Sequence, residues 1–387
     1  MEKKKGLGNG CPLYKKCGGC QLQNMTYDEQ LSFKQAKVIK LLGKYCHVDE
    51  IIGMDDPYHY RNKVQAAFGT TRGGKVVSGV YQSSSHRIVD VKNCMLEDVT
   101  ADMIIQTVKK LILKFNISIY NEDTRKGFLR HVLVKRGFTT NEIMVVIVAG
   151  TPVFKSKNEF LKKLLEIHPE ITTVVLNVNN RHTSLVLGEN EKVLYGDGYI
   201  KDVLCGCVFR ISAKSFYQIN PIQTEKLYNI AIDYASLTGK EIVLDAYCGI
   251  GTIGLAASKR AKNVIGVEIN PEAVKDAIIN AKLNKSTNTY FHNRDAGEFM
   301  LDMAKDKECV DVVFMDPPRA GSDRKFLTSI TTLHPQRIVY VSCNPETLAR
   351  DLALLVRNGY KVKKITPLDM FPHTSHVECV TLFTKIL

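Results

Sequence analysis

The stretch Ile242-Val-Leu-Asp-Ala-Tyr-Cys-Gly-Ile-Gly-Thr-Ile-Gly-Leu255 reads as an apolar strand, a glycine-bearing turn and the start of a helix. That order leaves few folds open. A strand feeding a helix through a tight turn is half of a right-handed crossover, which needs a second strand parallel to the first. After about Ser212 the chain repeats the pattern. Strands at Glu241–Asp245, Asn263–Glu268, Asp311–Asp316 and Arg337–Ser342, with another around Tyr290–Asn293, alternate with helical stretches. The expected architecture is an α/β domain with a parallel, doubly wound sheet.

Within the turn, Gly249 and Gly251 let the backbone approach a ligand without Cβ clashes. Glu268, nineteen residues after Gly249, stands where an acidic residue accepts both ribose hydroxyls of a nucleoside. Gly254 completes a six-residue dinucleotide pattern, so the loop alone leaves NAD open.

The first half has a different texture. A Gly-, Cys- and Lys-rich loop over residues 1–27 precedes helical periodicity from Glu29 to Leu42. Short alternating runs follow between Arg61 and Val91, including Lys63–Phe68 and Lys75–Tyr81. Strands are expected at Leu129–Arg136, Glu142–Val148 and Thr172–Asn177, with a helix between Asn158 and Ile167. This predicts an α+β domain over 1–213, built on an antiparallel sheet, and the parallel-sheet domain over 214–387.

A chain of 387 residues supports two or three such cores. No run is long enough to span a membrane, and the basic start Met1-Glu-Lys-Lys-Lys-Gly6 lacks the apolar stretch of a signal peptide, so the expected compartment is the cytoplasm. There cysteines bind metal or react more often than they pair. The excess of 53 Lys and Arg over 40 Asp and Glu, a net charge of +13, favours a polyanionic partner, nucleic acid first.

Two further strand ends carry chemistry. Asp311-Val-Val-Phe-Met-Asp-Pro-Pro-Arg319 closes on an acidic-Pro-Pro turn, the type that holds a planar base beside the methyl donor in nucleic-acid methyltransferases. Val339-Tyr-Val-Ser-Cys-Asn-Pro345 ends in Cys343, a thiol placed like a nucleophile. Asp295 is a weaker candidate for contact with an adenine ring. Amine methylation of adenine or cytosine pairs the acidic-Pro-Pro turn with an aromatic residue, whereas Arg319 follows here. Cytosine-C5 enzymes of RNA place a cysteine where Pro318 stands.

In these motifs, together with Ser215-Phe-Tyr-Gln-Ile-Asn220 and His376-Val-Glu378, the chain resembles the S-adenosylmethionine-dependent RNA (uracil-C5)-methyltransferases over nearly its whole length. The resemblance implies a class I Rossmann-like methyltransferase domain. It implies that Gln218, Tyr247, Glu268 and Asp316 bind S-adenosyl-L-methionine, that Cys343 is the nucleophile and that Glu378 is the proton acceptor. The chemistry asks for those residue types. Uracil C5 becomes nucleophilic once a thiolate adds to C6, and a carboxylate must remove the C5 proton before the thiolate can leave. The bland alternatives are a buried structural thiol and a solvated strand carboxylate.

Cys11-x5-Cys17-x2-Cys20, completed by Cys94, suits an iron–sulfur cluster or a structural zinc. The resemblance implies a [4Fe–4S] cluster on these four thiols. Burial is expected for Cys46, Cys205, Cys207, Cys248, Cys309 and Cys379. Tyr58-His-Tyr-Arg-Asn-Lys63 and Gly127-Phe-Leu-Arg-His131 mix aromatics with cations and are candidate RNA contacts. The small β-barrel domain that opens many family members is expected to be absent, since Cys11 lies so near the start.

The expected partner is RNA, with 23S rRNA first and tRNA second, and not DNA or membrane. The chain is expected to act as a monomer. A catalytically silent iron–sulfur RNA-binding protein is the competing class.

Overall fold

The computed structural model describes residues 10–82, 85, 87–183 and 185–386. The basic stretch Met1–Gly6 lies outside them. The chain begins with α1 (Tyr14–Cys17), α2 (Tyr27–Leu42), β1 (Lys63–Thr70), β2 (Val76–Tyr81), β3 (Ile88–Asp90) and α3 (Val99–Lys114). It continues through β4 (Leu129–Arg136), β5 (Ile143–Ala149), α4 (Lys157–Ile167), β6 (Ile171–Val178), β7 (Asn190–Tyr195) and the ribbon β8 (Tyr199–Leu204) and β9 (Cys207–Ser212). Then come α5 (Pro221–Ala235), β10 (Ile242–Ala246), α6 (Thr252–Ser258), β11 (Asn263–Glu268), α7 (Pro271–Leu283), β12 (Thr289–Asn293) and α8 (Ala296–Lys305). The last elements are β13 (Val312–Met315), α9 (Arg324–Leu333), β14 (Arg337–Ser342), α10 (Pro345–Arg357), β15 (Tyr360–Leu368) and β16 (Glu378–Lys385).

Two compact units interleave along the chain. One comprises Met1–Asn24, Pro57–Val203 and Arg210–Lys214; the other comprises Met25–Asp56, Leu204–Phe209 and Ser215–Leu387.

The first unit holds a sheet of order β3-β2-β1-β4-β5-β6-β7. It is antiparallel as expected, except that β5 and β6 run parallel. The reason is α4, which carries the chain across the sheet between them, and a helical crossover returns a strand in the same direction. Alternate residues Val64, Ala66, Val132, Val134, Val145 and Ile147 form one apolar face, buried with Phe160 and Leu164 of α4 and with Ile104, Val108 and Leu111 of α3. Helix α3 is not among the expected elements. Its signal is Asp98, which accepts from the Ala101 N–H at 3.0 Å as an N-cap, followed by apolar residues at three- and four-residue spacing.

The second unit holds a sheet of order β12-β11-β10-β13-β14-β16-β15. Strands β10 to β14 are parallel, in keeping with the strand–helix alternation. The last two depart from the expected all-parallel sheet. They join through a loop with no crossover helix, so β16 returns antiparallel to both β15 and β14.

Strand order reverses at β10, and in such sheets the crevice beyond the strands' carboxyl ends at the reversal is where ligands bind. Helix α2 belongs to this unit. Thr26 and Glu29 close a reciprocal capping box at its start, which places the helix two residues ahead of the expected Glu29. Val38 and Leu42 bury its apolar stripe in the same core as Tyr340, Leu348 and Leu352.

Candidate active site

The turn after β10 is held in a conformation that side chains resist. Tyr247 has φ +63°, in the left-handed region that costs a bulky residue energy unless its surroundings demand it. Its ring packs on Phe326 at 4.8 Å between centroids. Gly249 and Gly251 follow with φ +56° and +84°, and a Cβ on Gly249 would meet nothing within 4 Å. The backbone there faces open space. Gly254 differs: a Cβ would come within 2.8 Å of the Asp245 carboxylate, which accepts from the Gly254 N–H at 2.8 Å. The third glycine therefore serves helix–strand packing.

Glu268 is tied to this turn, accepting from the Gly249 N–H at 3.1 Å and the Asn270 N–H at 2.8 Å. Gln218, on the irregular segment before α5, bonds the Tyr228 hydroxyl, which also meets Thr252 Oγ1 at 3.2 Å. Tyr228 is buried and faces Asp316 and Asp245, so it joins Gln218 to the glycine turn. It was not expected as a site residue; its only sequence signal is a place on the buried stripe of α5. Asp295 is the exposed N-cap of α8, accepting from the Glu298 N–H at 2.9 Å.

The second half of the site is assembled by strand pairing. In the β14–β16 register the last pair sets Ser342 opposite Cys379; Cys343 follows the strand's end, and its thiol feels the Glu378 carboxylate. Cys343 is half-buried and Glu378 is 3% exposed. Burial pushes the Glu378 carboxyl up to about 8, with the nearby Asp316 adding to the rise and Arg319 opposing it. Burial likewise pushes Asp316 up to about 7. Asp245 also rises to about 7 by burial, and the Asp316 and Glu268 carboxylates contribute. The Cys343 thiol is raised to about 11 by burial, then by Glu378 and Asp316, against the pull of Arg319.

Glu378, Asp316 and Asp245 form a group of carboxyls whose burial raises them all, and a positively charged ligand fits such a place. Beside Cys343 opens a cavity of about 360 Å³ lined by Lys37, Arg319, Asn344, Glu346 and His376 among others. Thus the structure brings Cys343, Glu378 and Asp316 together at one corner, and Gln218, Tyr247 and Glu268 around the glycine turn.

The N-terminal cysteines are placed differently. Cys20 feels the charges of Cys17 and Cys11, and Arg61 lies close to both Cys20 and Cys94. Burial raises Cys20 to about 11 and Cys94 to about 12. Among the described residues, however, no three His, Cys, Asp or Glu side chains converge as a metal-binding group. The expected closed set of Cys11, Cys17, Cys20 and Cys94 is therefore not formed by this geometry. Three of the four ride on a loop organised by one helical turn and Gly18 at φ +71°, and such a loop has no strand register to fix its side chains.

Of the six cysteines expected to be buried, Cys207, Cys248 and Cys379 are, whereas Cys46 and Cys205 are half-buried and Cys309 is exposed. Cys309 lies in the α8–β13 connection, outside any apolar face. Of the two candidate RNA segments, Tyr58 and His59 are exposed, but Arg130 and His131 are buried. Arg130 donates to both carboxylate oxygens of Glu122 and to the Asn179 carbonyl.

Residues 26–386 match the family model described as tRNA (Uracil-5-)-methyltransferase. An uncharacterized RNA methyltransferase of Clostridium acetobutylicum is 46% identical over 383 residues, 97% of this chain and 83% of that protein. One from Staphylococcus aureus strain MSSA476 is 44% identical over 378 residues, 96% of this chain and 83% of that one. Among solved structures, Pyrococcus abyssi tRNA (uracil-54, C5)-methyltransferase in complex with S-adenosyl-L-homocysteine superposes with a TM-score of 0.79 at 30% identity, covering 95% of this chain and 86% of that one. No helix among the described residues is long and apolar enough to cross a membrane. With the glycine turn, the acidic-Pro-Pro turn and these matches in hand, the chain belongs to the tRNA (uracil-5-)-methyltransferase family and is an S-adenosylmethionine-dependent RNA uracil-C5 methyltransferase.

Proposed function

We propose that this enzyme methylates C5 of a uridine in 23S rRNA through a covalent bond between Cys343 Sγ and uracil C6. The observation that carries the reading is that Glu378 opens β16 beside the end of β14, where its carboxylate bears directly on the Cys343 thiol. S-adenosyl-L-methionine, when bound, supplies the methyl group. Gln218, Tyr247, Glu268 and Asp316 would hold it.

The Cys343 thiolate adds to C6, and the electron pair of the C5–C6 double bond moves toward C5 and the carbonyl oxygen. Once C5 carries the methyl group, the Glu378 carboxylate takes the C5 proton. The C–H pair then restores the double bond, the S–C6 bond breaks, and sulfur leaves with its electrons. Arg319 faces both groups and favours their charged forms. Lys37, Arg319 and His376 at the cavity mouth suit the phosphates beside a base swung out of its stack.

The four-cysteine pattern favours 23S rRNA and is proposed to hold a [4Fe–4S] cluster within a cytoplasmic, monomeric enzyme. The donor half, near 214–387, carries the chemistry, and the preceding half contributes RNA binding. A tRNA uridine is the second reading, favoured by the likeness to the P. abyssi tRNA enzyme. Mass-spectrometric mapping of 5-methyluridine in rRNA and tRNA, with and without the gene, decides between them. Loss of the mark from 23S rRNA alone supports the first reading, loss from tRNA alone supports the second, and no loss from either overturns both.

A further inference from the structure

The loop between β15 and β16 leads directly into Glu378, and its residues Ser375, His376 and Val377 line the cavity beside Cys343. Buried polar side chains from two helices hold it. Lys34 of α2 donates from Nζ to Asp369 Oδ1 at 2.6 Å and to the Phe371 carbonyl at 3.1 Å, and both members of the ion pair are wholly buried. Gln30, one turn earlier, accepts from the His373 N–H at 2.8 Å and lies 3.2 Å from His373 Nδ1. From the start of α5, the N-cap Asn220 donates to the Met370 carbonyl at 2.9 Å and Gln223 to the Asp369 carbonyl at 3.0 Å. Successive residues of the loop are thus gripped through side chains and carbonyls together.

Stability alone does not call for this arrangement. A buried ion pair is commonly no more stabilising than apolar side chains of the same volume. What hydrogen bonds to specific carbonyls and ring nitrogens add is a set position, which apolar packing does not specify. The base has a narrow geometric task, since its oxygen must stand within hydrogen-bond reach of one proton on C5.

We infer that Gln30 and Lys34 are positioning residues: from a helix near the start of the chain they hold the Asp369–His376 loop so that Glu378 meets the C5 proton. The inference rests on the reading of Glu378 as base. Misplacing the base slows only the last step, in which the proton leaves C5 for the carboxylate and the S–C6 bond breaks. Covalent RNA then accumulates.

The test is the double variant K34M/D369L, which removes the pair without leaving a buried lone charge, alongside Gln30→Ala. Binding of S-adenosyl-L-homocysteine should stay within about twofold and the melting temperature of the double variant should not fall, while kcat drops about tenfold or more and a denaturation-resistant RNA–protein band builds up. A double variant that is stable and turns over at the unaltered rate without that band overturns the inference. If Glu378→Gln in the otherwise unaltered protein forms no covalent RNA, the reading of Glu378 fails instead, which separates the two.

Discussion

Cys343 and the N-terminal cysteines are thiols of one chain, placed by opposite means. Cys343 follows directly on a central strand, β14, whose hydrogen-bond ladder to β16 runs up to Ser342 and Cys379. Cys11, Cys17 and Cys20 sit on a glycine-rich loop built around one helical turn, and Cys94 lies on a distant connection between β3 and α3. A side chain on a paired strand has its neighbours set by register, to within a pleat. One on a loop acquires neighbours through whatever ligand gathers it. The contrast separates thiol placement by strand pairing from thiol placement on a loop, and the proposed cluster would have to gather the latter.

The sharpest break in that contrast would come from single thiol substitutions. Cys343→Ala should lower methyl transfer by about 10³-fold or more while leaving donor binding intact, measured by label incorporation into RNA. Cys20→Ser should cost less than about tenfold. Equal losses would mean that both regions act in the chemistry.

Next in size, Glu378→Gln should reduce kcat by about 10²–10⁴-fold and leave RNA covalently attached, seen as a shifted band on a denaturing gel. Absence of the band would remove the base role.

The metal side of the contrast predicts iron and sulfide in anaerobically isolated protein, with Cys94→Ser losing both. Stoichiometric zinc in their place would overturn the cluster.

A smaller effect is the pH dependence of turnover. Glu378 must be ionised to accept a proton, and burial places its carboxyl near 8. Ionisation of Glu378 should therefore lift activity by up to about tenfold per pH unit below that point and add no more above it, where only the Cys343 thiol, raised to about 11, continues the rise. A profile flat from pH 6 to 9 would show that bound substrate has already ionised the group.

The smallest effect is on stability. The folded state keeps a proton on Glu378 that an unfolded chain gives up near 4.5, so this group's contribution to stability is complete below that value and is lost as pH rises through about 8. Glu378→Gln removes the loss. Its melting temperature should gain on the unaltered protein between pH 5 and 9, by an amount equivalent to ~1–2 kcal/mol.

The parallel strands β10, β11, β13 and β14 were legible because apolar runs closing on Asp-Pro-Pro or Ser-Cys-Asn-Pro are local signals. So was the glycine turn, where Gly249 and Gly251 adopt the positive φ their type permits. Helix α3 carries an equally local pattern in Ile104, Ile105, Val108 and Leu111. The β15–β16 pair was not legible in the same way, because nothing in Tyr360–Leu368 names its partner. Nothing local marks Tyr228, whose hydroxyl only folding sets between Gln218 and Thr252. Arg130 looked like an RNA contact until Glu122 took its guanidinium.

Residue types and their short-range order thus settled the parallel sheet, the ligand-facing turn and the presence of a thiol and a carboxylate able to work as a pair. Whether those two would lie near each other was decided only by the antiparallel return of β16, whose ladder with β14 pairs Ser342 with Cys379, the residues next to each of them. The same holds for α2, whose Gln30 and Lys34 reach residues more than 330 positions away. Periodicity acts over a few residues and so is written locally. Pairing and burial depend on which surfaces exclude water together, and that exists only once the chain has folded.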